Sequence, residues 1–440
     1  MRKVIRGCKR ISGTIEVPGD KSISHRALLI GAIAEGVTTI EGCLVAEDVL
    51  STARCLREMG VRIDGLSEDA SLSGASASLS VHGVGGANFS APQDVLDAGN
   101  SGTTMRLLLG LLAAHRFEVT IDGDESLRRR PMDRVAIPLT QMGAHIVGQG
   151  EKCYPPVSIR GGELRAIEYK MPVASAQVKS AILLAGLFAD GITSVIQPAA
   201  SRDHTERMLK AFGADVVVDG LKVSVIGGAR LRAQHVAVPG DFSSAAFFMA
   251  LAAAVPDAQI TIKSVGLNPT RVGFLEALIR MGADVRIENQ RAVSGEPVGD
   301  VIVTGTERLR SINICGDSIP TMIDELPLLA VLCSIAEGES LIRDAQELRI
   351  KESDRIAAMS SELSKMGANI TELPDGWRIV GVRRLRGARV ESGGDHRIAM
   401  SLAIAGMLAD GETEIDGAEC VSISFPQFWE MLEGLVECPS

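Results

Sequence analysis

Apolar and polar positions along the chain follow two patterns that return several times. A helix end followed by a strand recurs from residues 57, 140, 210, 279 and 364, as REMGVRI, TQMGAHIV, KAFGADVVV, IRMGADVRI and SKMGANI. In each copy a glycine stands just past an amphipathic helix, where a left-handed conformation costs glycine least, and an alternating strand follows. The pattern therefore predicts helix C-caps at Gly60, Gly143, Gly213, Gly282 and Gly367.

A second pattern, an alanine- and leucine-rich helix followed by a turn and a β-branched strand, recurs six times. Its copies begin at Ile30, Leu108, Leu184, Leu251, Leu329 and Leu402. A regular spacing is typical of repeat architectures, and here it indicates six units of roughly 70–85 residues. Similarity by composition alone explains six matches less well. The chain ends on the helical pattern FWEMLEGL without a following strand, so we expect residues 3–17 to supply the missing strands.

A third duplication divides the chain in two. Residues 15–22, IEVPGDKS, are echoed by residues 236–243, VAVPGDFS, and Pro-Gly-Asp is typical of a turn. We expect an α/β protein of two lobes with three repeats each: residues 20–240 form the first lobe, and residues 1–19 with 241–440 form the second. The chain then crosses between the lobes twice, and clefts between domains are favoured ligand sites.

Composition excludes several classes of partner. The chain has 45 Lys and Arg against 55 Asp and Glu, a net charge of −10, and only 3% aromatic residues, so we expect no nucleic-acid partner. Its longest apolar stretch, residues 245–255, is shorter than the ~18–20 residues that span a bilayer, and no signal peptide is visible. Eight scattered cysteines without a CxxC pair indicate reduced thiols. We expect a soluble, cytoplasmic protein without a membrane partner.

Positive charge gathers in a few short segments, and an acidic protein can bind an anion where its cations converge. Residues 21–26, KSISHR, precede an apolar helix; their serines could cap it while its amides and Lys21 hold an anion. Residues 100–106, NSGTTMR, offer a small turn that a ligand can approach closely at a helix start. Residues 128–130 are three consecutive arginines. Each segment also has an ordinary interpretation as a solvated helix start or loop.

The most informative segment is residues 347–355, ELRIKESDR. If it is helical, Lys351 and Arg355 lie on one face, where like charges cost about 0.2–0.5 kcal/mol, and a bound anion would turn that cost into binding. Glu352 lies among these cations, which would tune its carboxyl group. Farther along, Arg397 stands in the first turn of a helix, where cations oppose the helix dipole. It therefore also indicates a bound anion.

Eight motifs, taken together, closely resemble the 5-enolpyruvylshikimate-3-phosphate (EPSP) synthase family of enolpyruvyl transferases. They are GDKSISHR, GNSGTTMR, RRRPM, SAQVKSA, SRDHTE, IDELP, RIKESDR and DHRIAMS, in family order between about residues 8 and 435. Any one motif is weak, but the set is highly specific. The resemblance implies a two-domain inside-out α/β barrel. Each domain would be a three-fold repeat of βαβαββ-like units with buried helices, and a cleft between the domains would close on substrate.

The resemblance also implies a reaction of the shikimate pathway, which leads to chorismate and the aromatic amino acids. Phosphoenolpyruvate and shikimate 3-phosphate would yield an enol ether and phosphate. This chemistry needs an acid beside the methylene carbon, a base for the shikimate 5-hydroxyl, and cations over the anionic groups. By match to the family, Glu352 is the acid and Asp324 the base, while Lys21 touches both substrates. No step needs a metal or organic cofactor, so we expect none.

The same match divides the remaining site residues between the two substrates. The positions that match contacts to shikimate 3-phosphate are Lys21, Ser22, Arg26, Ser175, Ala176, Gln177, Arg202, Asp324 and Lys351. Those that match contacts to phosphoenolpyruvate are Lys21, Asn100, Gly102, Arg130, Gln177, Arg355 and Arg397. We also expect a monomer, with glyphosate, which mimics phosphoenolpyruvate, as a competitive inhibitor.

Two departures from the family pattern concern glyphosate. Many relatives have a lysine beside the last Phe-Pro motif, where this chain reads ISFP at residues 423–426, and Ala176 stands where other members have serine. Both features resemble the branch of the family that is known for tolerance to the inhibitor. Members that block glyphosate sterically have alanine where this chain has Gly102, so the degree of sensitivity stays open.

Two alternatives remain at this point. The sister family, UDP-N-acetylglucosamine enolpyruvyl transferase, shares the fold and the donor. It has Lys-Asn where this chain has Lys21 and Ser22, and usually a reactive cysteine in the loop that corresponds to residues 125–133, where this chain has none. A repeat scaffold that binds phosphorylated ligands without catalysis would need neither Glu352 nor Asp324.

Overall fold

The computed structural model describes residues 1–8, 10–66 and 77–435. Its α-helices are α1 Lys21–Ile33, α2 Glu47–Glu58, α3 Gly102–Leu112, α4 Glu125–Arg128, α5 Asp133–Met142, α6 Ala176–Gly186, α7 His204–Ala211, α8 Phe242–Ala254, α9 Gly273–Arg280, α10 Ile319–Met322, α11 Leu326–Ile335, α12 Arg355–Lys365, α13 His396–Met407 and α14 Phe428–Gly434. Short 3-10 helices cover Gly316–Ser318, Gln346–Ile350 and Ala418–Ile423.

The strands of the first part of the chain are β1 Arg2–Arg6, β2 Ser12–Glu16, β3 Glu35–Cys43, β4 Arg62–Asp64, β5 Ala77–Val84, β6 Leu96–Asp97, β7 Glu118–Asp122, β8 His145–Gln149, β9 Tyr154–Arg160, β10 Leu164–Arg165, β11 Glu168–Lys170, β12 Ala189–Asp190, β13 Ile192–Ile196, β14 Val216–Asp219, β15 Lys222–Ile226 and β16 His235–Ala237. Those that follow are β17 Gln259–Gly266, β18 Asp284–Val293, β19 Glu296–Thr304, β20 Asn313–Ile314, β21 Glu339–Ile342, β22 Asn369–Leu373, β23 Gly376–Val380, β24 Leu385–Arg386, β25 Arg389–Glu391, β26 Ala409–Asp410 and β27 Glu412–Asp416.

The larger sheets are mixed and follow one pairing scheme. In β16-β3-β5-β4, β6-β7-β9-β8, β11-β13-β15-β14, β20-β21-β23-β22 and β2-β17-β19-β18, the first pair of strands is parallel and the next two pairs are antiparallel. The sheet β25-β27-β1 begins in the same way and has three strands. As the sequence predicts, the N-terminal strands β1 and β2 complete sheets of the C-terminal part of the chain.

Six helices lie at the centre of these sheets because their sequences are apolar on every side, which is typical of buried helices. They are α1, α3, α6, α8, α11 and α13. Their buried side chains belong to two separate clusters. The first core draws on residues 23–236, and the second core draws on residues 5–17 and 242–435.

The predicted glycine C-caps are confirmed. Gly60, Gly143, Gly213, Gly282 and Gly367 all have positive φ values, between 83° and 119°. Each ends an amphipathic helix and turns the chain into the next strand, because only glycine adopts this conformation without strain.

The two passages of the chain between the cores, residues 18–20 and 239–241, lie side by side, and we call them the crossing. The Asp20 amide donates to the Pro239 carbonyl and the Asp241 amide to the Pro18 carbonyl, both over 2.8 Å. A Cβ on Gly19 would lie 1.9 Å from the Gly42 carbonyl oxygen. The crossing is therefore a close backbone contact that tolerates no side chain at this glycine.

Each passage of the crossing ends in an aspartate that caps a central helix. Asp20 accepts from the Ile23 amide at the start of α1, and Asp241 accepts from the Ser244 amide at the start of α8. The expectation that the serines of residues 21–26 cap α1 is therefore wrong. Ser24 instead accepts from the Leu44 amide through its hydroxyl, inside the first core.

The described cysteines, Cys8, Cys43, Cys55, Cys153, Cys315, Cys333 and Cys420, are free thiols, while Cys438 lies outside the described residues. No single helix in the described ranges is long and apolar enough to cross a membrane. One sharply bent pair, Gly316–Met322 with Leu326–Ile335, passes that test by length and composition alone.

Candidate active site

Most of the predicted site residues meet in one cavity of about 450 Å3 between the two cores. It receives side chains from the starts of α1, α3 and α6 on one side and from the segments that precede α11 and α12 on the other. The predicted residues that line it are Lys21, Ser22, Arg26, Gly102, Arg130, Ser175, Ala176, Gln177, Arg202, Asp324, Lys351 and Glu352. We call this cavity the cleft.

A larger cavity, of about 840 Å3, lies where α8, α11 and α13 end. None of the described residues that line it is a predicted site residue. Its arginines are partly neutralised by neighbouring acids, since Arg6 pairs with Glu412 and Arg384 with Asp410, both over 2.6 Å. The chemistry predicted from the sequence therefore belongs to the smaller cavity.

Three predicted residues are not among those that line the cleft. The Asn100 carbonyl accepts from Nη1 of Arg130 over 3.3 Å. Arg355 is only 1% exposed but reaches both carboxylates of the cleft. Arg397 is 6% exposed, and its amide donates to the N-cap Asp395.

The start of α1 presents Lys21 to the cleft. Its Nζ donates to Oδ2 of Asp48 over 2.9 Å, and its amide donates to Asp241 at the crossing over 3.2 Å. Lys21 is therefore held by its side chain from the first core and by its backbone from the second. Asp48 also lines the cleft, although no motif in the sequence predicts it as a site residue.

Arg26 contributes to the cleft mainly by supporting its wall. Its guanidinium donates to the hydroxyls of Thr205 and Ser180 and to the Ser22 carbonyl, over 2.7, 2.8 and 3.0 Å. Burial lowers the pKa of Arg26 to about 10. Its hydrogen bonds tie α1 to α6 and α7, so that the starts of these helices face the cleft together.

Of the three consecutive arginines, only Arg130 turns inward. Arg128 pairs with Asp122, and Arg129 pairs with Glu125, all on the surface. Arg130 is 7% exposed and its Nη2 lies 3.3 Å from Oε1 of Glu352, across the cleft.

Arg106 lines the cleft but is not one of the predicted site residues. It is the cation of the segment NSGTTMR, which predicts a ligand at the helix start without a role for this side chain. Its Nη1 donates to Oε1 of Gln177 over 2.6 Å, and Nε2 of Gln177 donates to the Thr103 hydroxyl over 2.8 Å. Burial, followed by Arg130 and Arg134, lowers the pKa of Arg106 to about 9. Together Arg106 and Thr103 fix the orientation of the Gln177 amide.

Asp324 lies at the centre of the cations. It pairs with Arg202 from the first core and lies 3.7 Å from Nζ of Lys351 and 3.5 Å from Nη1 of Arg355. Burial opposes ionisation, but Arg202, Lys351, Arg397 and Arg355 together hold the pKa of Asp324 well below its usual range. The carboxylate is therefore ionised and able to accept a proton or a hydroxyl hydrogen bond.

Glu352 is the second carboxylate of the cleft. Oε2 accepts from Nη2 of Arg355 over 2.6 Å, and Oε1 faces Arg130. Burial again opposes ionisation, yet these two arginines hold the pKa of Glu352 well below its usual range. The protein alone thus keeps Glu352 as a carboxylate.

The segment that carries Glu352 is not a continuous helix, which corrects the conditional expectation for residues 347–355. A 3-10 helix ends at Ile350, Lys351 is extended, and Asp354 caps α12, which begins at Arg355. The break occurs because Asp354 accepts from the amides of residues 356 and 357. Lys351 and Arg355 still converge, since both reach Asp324 from the two sides of the break.

An ion pair at one edge of the cleft joins the two cores. Nη1 of Arg134 donates to Oε2 of Glu347 over 2.8 Å and Nη2 to Oε1 over 3.3 Å, and both residues line the cleft. No local sequence pattern predicts this ion pair, because its partners lie 213 residues apart.

The described residues contain no group of three or more histidine, cysteine or acidic side chains that could hold a metal ion. What the cleft offers instead is two partly buried carboxylates among cations contributed by both cores. Such a site can bind two anionic ligands and move protons between carboxylates and a substrate.

Comparison with known proteins agrees with this geometry. The family model described as EPSP synthase (3-phosphoshikimate 1-carboxyvinyltransferase) matches residues 5–432. The chain belongs to the EPSP synthase family. It is 54% identical to the 3-phosphoshikimate 1-carboxyvinyltransferase of Gloeobacter violaceus, with 97% of each chain covered. It is 51% identical to the enzyme of that name from Brevibacillus brevis, with 97% of this chain and 98% of the relative covered.

A solved EPSP synthase structure from Acinetobacter baumannii has a TM-score of 0.86 to this chain. The two are 46% identical, over 99% of this chain and 98% of the other. The family predicted from the motifs is therefore confirmed, the chain is an enolpyruvyl transferase with an α/β fold and mixed sheets, and the UDP-amino-sugar alternative is not favoured.

Proposed function

We propose that the cleft transfers the enolpyruvyl group of phosphoenolpyruvate to the 5-hydroxyl of shikimate 3-phosphate and releases phosphate. The observation that carries this proposal is the convergence of Asp324 and Glu352 with cations from both cores in one cavity. Two phosphorylated acids need several cations, and a carbon protonation coupled to hydroxyl attack needs two carboxyl groups in different roles.

The reaction runs in two steps that balance in protons. Glu352 gives a proton to the methylene carbon of phosphoenolpyruvate, and the 5-hydroxyl oxygen attacks the adjacent carbon while Asp324 takes the hydroxyl proton. The tetrahedral intermediate then loses phosphate as its carbon–oxygen bond breaks, and the proton held by Asp324 leaves with the phosphate, which restores the base. The methyl group returns a proton to Glu352, which leaves the enol ether.

Glu352 must first become protonated, although Arg130 and Arg355 favour its ionised form. We propose that phosphoenolpyruvate itself makes the change. Its phosphate and carboxylate would bind these two arginines and offset their charge, so that the pKa of Glu352 rises when the substrate enters. The acid would then be available only where its substrate is present.

Asp324 suits the role of base for the opposite reason. Of its neighbours Arg202, Lys351 and Arg355, which come from two segments, phosphoenolpyruvate would engage only Arg355, so its entry leaves the carboxylate ionised. Lys21, held by Asp48 at the start of α1, would lie between the substrates and assist proton transfer.

We assign contacts to shikimate 3-phosphate mainly to the first core. The groups are Lys21, Ser22, Arg26, Ser175, Ala176, Gln177, Arg202, Asp324 and Lys351. The N-termini of α1 and α6 lie at the cleft, and helix N-termini favour phosphate. Ala176 would contribute its backbone amide. Arg26 would contact the ligand through its remaining N–H donors, because three of the five already bond to protein.

We assign contacts to phosphoenolpyruvate to Lys21, Asn100, Gly102, Arg130, Gln177, Arg355 and Arg397. A Cβ on Gly102 would lie 2.9 Å from Nη1 of Arg106 and 3.0 Å from the Arg130 guanidinium. The bare backbone at this position thus leaves room for these arginines and for a small ligand. Glyphosate, as a mimic of this substrate, would compete for the same place.

We also propose the finer architecture that the repeats suggest: two inside-out domains, each a three-fold repeat around central helices. The proposed lobes are residues 20–240 and residues 1–19 with 241–440. Two separate cores, the common pairing scheme of the sheets and the double crossing support this division. The mechanism contains no step that calls for a metal or organic cofactor. Monomeric state and cytoplasmic location stay predictions.

A coupled phosphate-release assay tests the function. We expect turnover with phosphoenolpyruvate and shikimate 3-phosphate, and none when UDP-N-acetylglucosamine replaces shikimate 3-phosphate. Phosphate release from phosphoenolpyruvate with UDP-N-acetylglucosamine, but not with shikimate 3-phosphate, would overturn the proposed acceptor. Tight binding of both substrates without any turnover would instead favour the non-catalytic scaffold.

A further inference from the structure

Arg271 is a buried arginine that none of the assigned roles uses. It lies just before α9, is 3% exposed, and stands beside the crossing. Its Nη2 donates to the Ser243 hydroxyl over 2.6 Å, whereas its Nε and Nη1 have no hydrogen-bond partner within the described residues. A guanidinium buried this deeply needs compensating charge, because desolvation of an ion costs several kcal/mol.

Four neighbouring carboxylates provide that charge. Nη1 of Arg271 lies 3.9 Å from Oδ2 of Asp324 and 4.0 Å from Oε1 of Glu325. Burial would lower the pKa of Arg271, but Glu325, Asp20, Asp241 and Asp324 raise it instead. The guanidinium therefore remains charged, and it is the common partner of both aspartates of the crossing.

Arg271 is also connected, through the hydroxyl of Ser243, to the residue that follows the reacting Asp324. The Ser243 hydroxyl, which accepts from Arg271, donates to Oε1 of Glu325. Glu325 is 1% exposed and directly follows Asp324, at the start of α11. Arg271 and Ser243 thus hold the peptide that carries Asp324, in addition to the direct approach of Nη1 to the Asp324 carboxylate.

We propose that Arg271 is a positioning residue for enolpyruvyl transfer, which anchors the Asp324–Glu325 peptide through Ser243 and fixes the Asp324 carboxylate relative to the crossing. The proposal rests on the proposed role of Asp324 as the base. In this role the buried charge of Arg271 contributes to catalysis as well as to stability. The same guanidinium links the start of α1, which carries Lys21, to the start of α11.

The test compares kcat, KM and the pH dependence of Arg271→Met and Arg271→Lys. A displacement of about 1 Å at a reacting group can cost about 10²-fold in rate, so Arg271→Met should lower kcat by about that factor. The KM for phosphoenolpyruvate should change little, because its proposed contacts lie elsewhere. Arg271→Lys, which keeps the charge, should recover part of kcat.

The pH profile separates positioning from a merely structural role. The charged groups that face Asp324 are Arg202, Lys351, Arg355, Arg397 and Arg271. Removing one of these cations raises the pKa of Asp324, so the acidic limb of kcat should move to higher pH in Arg271→Met. It should stay in place in Arg271→Lys and in the control Arg280→Met, whose guanidinium donates to the Asn313 carbonyl on the surface.

Ser243→Ala keeps the test decisive if Arg271→Met does not fold. This change cuts the link to Glu325 without altering any charge, and we expect kcat to fall by about tenfold with the pH limb unmoved. Unchanged kcat per folded molecule in both Ser243→Ala and Arg271→Lys, with only the melting temperature lowered, would overturn the proposal. An inactive wild-type chain would instead overturn the proposed function.

Discussion

The crossing and the cleft both lie between the two cores, and their carboxylates have different surroundings. At the crossing, burial and the neighbouring Asp241 raise the pKa of Asp20, while cations, Arg271 first among them, lower the pKa of Asp241 although burial opposes this. In the cleft, cations hold the pKa values of Asp324 and Glu352 well below the usual range, although burial opposes this. The crossing carboxylates cap helices and both face Arg271, while each cleft carboxylate faces several cations.

The kind of contact differs in the same way. At the crossing the two chain passages bond through backbone groups, which no ligand can replace. Across the cleft the contacts are ion pairs between side chains, such as Arg202 with Asp324 and Arg130 with Glu352. Anionic substrates can take over these arginines. We infer that the backbone contacts of the crossing persist throughout the reaction, whereas substrates replace the side-chain ion pairs across the cleft.

The largest effect should come from neutralising a cleft carboxylate. Glu352→Gln keeps the shape of the side chain but removes the acid, and general acid catalysis typically contributes about 10²–10⁴-fold. We expect kcat to fall by that factor in the phosphate-release assay, while the KM for shikimate 3-phosphate changes little.

Glu47→Gln is the matched control, because Glu47 is exposed on α2, is not among the residues that line the cleft, and accepts from the Ser422 hydroxyl through its carboxylate. It should leave kcat unchanged. An active Glu352→Gln enzyme would remove the reason for assigning the acid to this residue.

Adding one methyl group should have different consequences at the two places. In the cleft, Gly102→Ala meets only the ends of the Arg106 and Arg130 side chains, so the protein should fold normally. Overpacking costs about 1–3 kcal/mol, and glyphosate is longer than phosphoenolpyruvate. We therefore expect inhibition by glyphosate to weaken by about tenfold or more, and the KM for phosphoenolpyruvate to rise less.

At the crossing, Gly19→Ala meets a backbone carbonyl that cannot move aside and should markedly lower the melting temperature. Equal changes in glyphosate inhibition and in the KM for phosphoenolpyruvate of Gly102→Ala would refute the steric argument.

Reversing the ion pair at the edge of the cleft should have a moderate effect. Arg134→Glu and Glu347→Arg each bring like charges together across the two cores, while the double variant restores opposite charges. Neighbouring charged pairs couple by about 0.5–3 kcal/mol. We expect each single variant to lower kcat/KM for shikimate 3-phosphate by about tenfold and the double variant to recover most of it. If the losses in kcat/KM of the two single variants add up in the double variant, the ion pair does not support closure of the cleft.

The smallest effect should come from neutralising a crossing carboxylate. Asp20→Asn keeps a good helix cap and removes a charge that burial disfavours. A carboxylate with a raised pKa in the folded state contributes stability below its unfolded pKa and loses it as the pH rises. Relative to wild type, Asp20→Asn should therefore gain stability as the pH rises above about 4, by about 3 °C or less, with kcat unchanged. A loss of stability as the pH rises, relative to wild type, would contradict this difference between the two places.

Patterns local in the chain predicted much of the fold. The five glycine C-caps, the six central helices and the use of β1 and β2 by later sheets all follow from spacing and periodicity. The motifs identified the family because they retain chemistry-bearing residues in a fixed order. These features depend on near neighbours or on a known family, so one sequence was enough to find them.

Contacts between distant residues could not be predicted in this way. The bond of Arg106 to Gln177 spans 71 positions. Asp20, not a serine, caps α1, and Asp354 interrupts the segment of residues 347–355. Arg271 has no local signal, since its partners come from three separate parts of the chain. Each of these features is decided by which segments pack together.

We propose that Glu352 delivers the proton to the methylene carbon, and isotope exchange measures this proton transfer. In D₂O with both substrates, reversible protonation forms a methyl group that rotates, so its reversal should place deuterium in recovered phosphoenolpyruvate. We predict that mass spectrometry detects this deuterium with wild type and that exchange with Glu352→Gln is at least about 100-fold slower. Equal exchange by the two enzymes would contradict the account.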